Sequence, residues 1–174
     1  FEKRKKDHLQ WSLSPLAQSE SMNDLDDLQL IPEALPDLNF EDVSTSVKIL
    51  GYELSMPLFI SSMTAGHPES FQMNRQLALL SQRSRLLMGV GSQRRELQDP
   101  SAAEEWKRIR KDAPRALLFG NLGLSQAIKT PIDQIQKLVD NLEAQGLFIH
   151  LNALQECIQQ EGTPQFKGGW SPEM

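Results

Sequence analysis

The chain has 174 residues, 39% of them hydrophobic, a formal net charge of −5 and a single cysteine, Cys157. That is enough apolar material for one packed domain, and the acidic balance argues against a nucleic-acid surface. One cysteine excludes an internal disulfide, no run approaches the ~18 apolar residues of a membrane span, and the expectation is a cytoplasmic protein without membrane or nucleic-acid partners.

Residues 1–40 show no core periodicity and read as an arm and connector. Glu2-Lys-Arg-Lys-Lys-Asp-His8 concentrates four cations, a Ser-rich stretch leads to acidic Asn23-Asp-Leu-Asp-Asp27, and Pro32 and Pro36 punctuate the path to Phe40. A basic run is ordinarily a solvated face, but Arg and Lys also recognise phosphate oxygens. Alternating Val43, Val47 and Ile49 predict a small hairpin within 43–52. The pattern becomes regular from Pro57. Strands are expected at 58–63, 86–90 and 116–119, each running into a polar or glycine-containing loop. A helix is expected near 71–84, and another opens at Asp99-Pro100, with Asp at the cap and Pro in the first turn. Thr130-Pro131 starts the best-marked helix. Its stripe is Ile132, Ile135, Leu138, Val139 and Leu142, Asp133 lies near its positive end, and Gly146 is its expected stop.

A fourth strand is expected at 147–152, bounded by Gly146. Side chains alternate along a strand, so Phe148, His150 and Asn152 share one face, with Gln155 and Glu156 following in the loop. Apolar strands alternating with helices argue for a parallel sheet, and such sheets bind ligands at the carboxyl ends of their strands. Four loops gathered on one face are the layout of the catalytic end of a (β/α)₈ barrel. Such a barrel takes eight strands and ~250 residues. Four βα units are visible here, so residues 41–174 read as the amino-terminal half of a TIM barrel, with the second half absent from the sequence.

The ordered set Arg4-Lys-Lys-Asp-His8, Ser62-Met-Thr-Ala-Gly66, Met88-Gly-Val-Gly-Ser-Gln-Arg94, Asn121-Leu-Gly123, His150-Leu-Asn152, Gln155-Glu156, Glu161-Gly162 and Phe166-Lys-Gly168 resembles type 2 isopentenyl-diphosphate isomerase. That family consists of FMN-dependent (β/α)₈ enzymes of isoprenoid synthesis. The resemblance implies isomerisation of isopentenyl diphosphate to dimethylallyl diphosphate, with reduced FMN as acid/base, NADPH only as flavin reductant, and Mg²⁺ on the diphosphate. It implies that Ser62, Met63, Thr64, Ser92 and Asn121 line the FMN site and that Glu156 binds Mg²⁺. Arg4, Lys5, Ser92, Gln93, Arg94 and Gln155 are implied to meet the substrate, with His150 and Asn152 beside its diphosphate. A homo-oligomer is also implied. One departure is Ala65, which stands where the family usually has the first glycine of Met-Thr-Gly-Gly. Two further readings are a different FMN-dependent barrel oxidoreductase of the 2-hydroxyacid oxidase type, and a non-catalytic half-barrel fragment.

Overall fold

A computed structural model describes residues 7, 10–18, 24–63 and 68–169. The described side chains of 26–46 are all exposed, Leu30, Ile31, Leu35 and Phe40 among them. A hairpin comes next, β1 (Val47–Ile49) and β2 (Tyr52–Leu54), antiparallel with Ile49 opposite Tyr52. It lies further along the chain than the predicted 43–52. A two-residue hairpin turn takes positive φ at both positions, and Gly51 (85°), preceded by Leu50 (52°), is where the chain meets that demand.

The remainder alternates strand and helix. Its elements are β3 (Phe59–Ile60), α1 (Pro68–Ser84), β4 (Leu87–Gly89), α2 (Ala103–Asp112), β5 (Leu117–Gly123), the single turn α3 (Leu124–Ala127), α4 (Ile132–Leu142), β6 (Gly146–His150) and α5 (Ala153–Ile158). The strands form one parallel sheet in the order β3-β4-β5-β6, so each crossover steps one place in the same direction.

The two faces of this sheet differ. On one, Met88, Val90 and Leu118 pack against Ala78 of α1, Trp106 and Ile109 of α2, and Leu142 of α4, and Leu122 packs against Leu138. Each of the larger apolar side chains buried there contributes roughly 1.5–3 kcal/mol. The other face has no helix in its core cluster among the described residues. Leu87, Phe119, Leu117 and Phe148 meet Leu54, Val47 and Tyr52, so the hairpin covers the end where β4 and β5 begin. Helices on one face and a hairpin at one end of the other leave the carboxyl ends of the strands accessible. No helix among the described residues is long and apolar enough to cross a membrane.

Several local expectations are corrected. The Gly120-Asn-Leu-Gly123 stretch is the second half of β5 rather than a loop, paired from Phe119↔Gly146 to Gly123↔His150. Its glycine at 120 answers to packing: a Cβ there would lie 2.6 Å from Gln93 Oε1 and 2.8 Å from Leu147 Cδ1. Gly146 does not stop α4; Glu143, with φ 49°, does so, and Gly146 instead makes room for the Phe119 ring. Thr130 does not cap α4: the cap position falls on Pro131, and the Thr130 hydroxyl donates back to Gln126 O at 2.7 Å. Asp99 does accept from Ser101 N–H at 3.0 Å, but over a 3-10 turn, Pro100–Ala102, that precedes α2. The fourth strand ends at His150, and Gln155 and Glu156 belong to α5.

Candidate active site

The polar residues expected to carry chemistry sit at the carboxyl ends of the strands because strand alternation turns them to the helix-free face. A cavity of about 500 Å³ opens there. Ser62 and Met63 from the end of β3, Ser92 after β4, Asn121 on β5, His150 on β6, and Asn152 and Gln155 at the start of α5 all line it. Phe59, Ser61, Phe148 and Ile149 complete the wall. Phe148 stacks on Phe119 with ring centroids 5.2 Å apart and lies 6.3 Å from Phe59, giving the cavity an aromatic floor. Close approach requires Gly89, where a Cβ would collide with Ser62 Oγ and lie 3.2 Å from the Phe148 ring.

Asn121 is buried, and its Oδ1 meets His150 Nδ1 at 2.5 Å. An amide oxygen only accepts, so Nδ1 carries the hydrogen and the imidazole has a set tautomer and orientation. Gly123 clears the other side of the ring, since a Cβ there would lie 3.0 Å from Nε2.

Three expected residues stand behind the cavity wall rather than in it. Gln93 is fully buried: its Nε2 donates to Glu96 Oε1 and Leu138 O, each at 3.1 Å, while its Oε1 accepts from Asn121 N–H at 3.2 Å. Arg94 reaches Glu161 O at 3.4 Å and Thr163 Oγ1 at 3.3 Å. Glu156 is 3% exposed and accepts from Asn152 Nδ2 at 2.9 Å and from Thr163 N–H at 2.6 Å. Arg94 and Glu156 thus hold Thr163 from two sides, and Gly162 lets this loop press against α5, where a Cβ would meet the Glu156 carbonyl. Arg4, Lys5 and Thr64 lie outside the described residues. Among the described residues lining the cavity there is no lysine or arginine.

Sequence reasoning missed the aromatic floor and the Glu96 carboxyl behind Gln93. Phe148 had a signal, since it alternates with His150. Glu96 had none, because its burial depends on the turn that carries it beside Glu105 and Trp106 of α2.

No family model matches this chain. Curated relatives do. It is 57% identical over 173 residues to an isopentenyl-diphosphate delta-isomerase of Bdellovibrio bacteriovorus, covering 97% of this chain and 50% of that protein. A protein of the same name from Legionella pneumophila (strain Corby) is 48% identical over 171 residues, 98% of this chain and 50% of the relative. One from Archaeoglobus fulgidus is 39% identical over 160 residues, 92% of this chain and 46% of the relative. The chain spans about half the length of the curated relatives it matches. Similarity that runs through nearly the whole chain takes in both the sheet and every described residue of the cavity.

Proposed function

We propose that this chain forms the amino-terminal half of a TIM barrel and one side of the active site of a type 2, FMN-dependent isopentenyl-diphosphate isomerase. The observation that carries this reading is the convergence of Ser62, Met63, Ser92, Asn121, His150, Asn152 and Gln155 on one cavity at the carboxyl ends of the strands. The singly wound sheet and relatives twice the length of the matched segment support a half-barrel. Those relatives' names support the reaction, isopentenyl to dimethylallyl diphosphate.

The residues present fit a flavin. A flat ring system edged with polar atoms suits a cavity floored by Phe148 and Phe59 and rimmed by Ser62, Ser92 and Asn121. Reduced FMN, kept so by NADPH, supplies the acid/base chemistry when bound. The chain's own work is positioning. Asn121 holds His150 with its Nδ1–H inward, which presents the opposite edge of the imidazole and the Asn152 and Gln155 amides toward a diphosphate. Arg4 and Lys5 supply the cationic partners that the described lining residues lack.

Glu156 fits Mg²⁺ by donor chemistry, because this ion takes one or two carboxylates together with substrate phosphates and water. Glu156 would hold the ion, and the ion would neutralise charge on the substrate diphosphate. A homo-oligomer in the cytoplasm completes the reading.

The test is a chimera in which this chain replaces the matching half of the Bdellovibrio relative. It should bind FMN and interconvert the two diphosphates only with reduced flavin and Mg²⁺. Glu156→Gln in that chimera should cost more than the roughly 10–100-fold that losing an outer-sphere partner costs. A folded, flavin-loaded chimera that oxidises substrate, or that ignores the Glu156 change, would sink the assignment.

A further inference from the structure

Glu96 is a buried carboxyl group without a cationic partner among the described residues. Its neighbour Arg95 turns instead to Asp99 at 3.3 Å and Glu105 at 3.6 Å. Among the described residues only one Glu96 oxygen is engaged: Oε1 accepts from Gln93 Nε2, and the buried Oε2 has no hydrogen-bond partner there. The amide of Gln93 has its oxygen and nitrogen assigned by two bonds besides the one to Glu96. Its Nε2 must also donate to Leu138 O, and its Oε1 must accept from Asn121 N–H. Oε1 of Glu96 is therefore an acceptor, and a proton on this carboxyl belongs on Oε2.

Beside it, Ser92, Gln93, Arg95, Glu96, Glu105 and Trp106 line a void of about 10 Å³, at the lower limit of what admits one water. The charged groups around the carboxyl are Arg95, Asp99 and, from α2, Glu105; α4 contributes the Leu138 carbonyl through Gln93. Burial pushes the Glu96 carboxyl up to about 7, the bond from Gln93 opposes the rise, and Glu105 adds to it. From this acid an unbroken path leads to the cavity: Glu96 to Gln93, Gln93 to Asn121 N–H, and Asn121 Oδ1 to His150 Nδ1.

We propose that Glu96 is a positioning residue for the cavity: its neutral carboxyl, seated against Gln93, keeps the Gln93–Asn121–His150 relay in register, and a negative charge there unseats it. The physical reason is that a buried carboxylate facing Glu105 gains by moving its turn toward water, and Gln93 moves with it. The inference goes beyond the proposed function and stands whichever ligand the cavity takes.

The test tracks two signals of the full chain by ¹⁵N NMR between pH 5 and 9: the Gln93 side-chain amide and the Asn121 backbone amide. Both should shift together with a midpoint near pH 7. Glu96→Gln keeps the acceptor and replaces Oε2 with a neutral group, so the step should vanish and both signals stay at their low-pH positions. His150→Gln removes the imidazole at the far end of the path, and there the step should persist. A step that survives Glu96→Gln, or one that disappears in His150→Gln, overturns the proposal, as does a wild type without any step. Should Glu96→Gln not fold, the His150→Gln titration decides alone.

Discussion

At the residue scale, the buried acid behind the cavity has a thermodynamic consequence. Glu96 rises from 4.5 to about 7 on folding. Below pH 4.5 both folded and unfolded chains hold the proton, and the group costs nothing. Between 4.5 and about 7 the unfolded chain releases it while the folded chain keeps it, so stability falls as pH rises and levels off above 7. The full loss is about 3 kcal/mol. Glu96→Gln should remove this dependence, so the variant should be more stable than wild type at pH 8.5 and close to it at pH 4.5. Urea midpoints at the two pH values check it, and an offset that does not change with pH would contradict the assignment. Little of this was legible in the sequence. His150, Asn152 and Gln155 stood out because alternation and loop position grouped them. The Gln93–Glu96 pair has no periodic signature, and Gln93 proved to be a buried clamp where a substrate contact was expected.

Among the elements, the strand–helix alternation was legible because the apolar stripes of β4 to β6 and α4 are local. The boundaries were not, because they answer to tertiary contacts: β5 runs on through Gly123 since β6 pairs with it that far, and α4 ends at a left-handed Glu143 before any glycine. Arg110 of α2 is the clearest case of a residue hidden from sequence reading. It reads as a surface cation near a helix end, yet it is 5% exposed and donates to Leu142 O (3.1 Å), Ala116 O (2.8 Å) and Glu143 O (3.0 Å). Carbonyls at the end of α4 and at the approach to β5 thus share one guanidinium. Burial pulls its pKa down and the nearby Glu143 opposes that, but arginine remains charged. Arg110→Ala leaves these carbonyls without their donor and removes packed stem atoms, so it should lower unfolding stability by about 2–4 kcal/mol. Chemical denaturation monitored at Trp106, which is buried in the same core, measures the effect; a loss under about 0.5 kcal/mol, ordinary for a surface site, would refute the role.

For the whole molecule, the sequence announced four βα units and half of a barrel's loop set, and the described sheet has four parallel strands with one face turned to helices. Such an arrangement has an unsatisfied perimeter. Among the described strands β3 and β6 each have a single neighbour, so each presents an edge with no described strand on it. Apolar side chains cluster along the β6 side. Leu124, Ile128, Ile132, Ile135, Leu147 and Phe166 are among the residues lining a cavity of about 750 Å³ there, and Leu151 and Leu154 nearby are each 74% exposed. A barrel covers such edges by closing on itself, as a second half would do here. The 174-residue chain alone has only its own copies to supply that cover. At micromolar concentration it should therefore migrate well above the 19.7 kDa of a monomer and bind a hydrophobic dye. Ile149→Lys places a charge on the β6 edge, where lysine blocks strand addition, and should shift the chain toward monomer with little loss of helix signal. A wild-type chain that runs as a monodisperse, dye-free monomer would show that these edges are already satisfied and that the half-barrel reading is wrong.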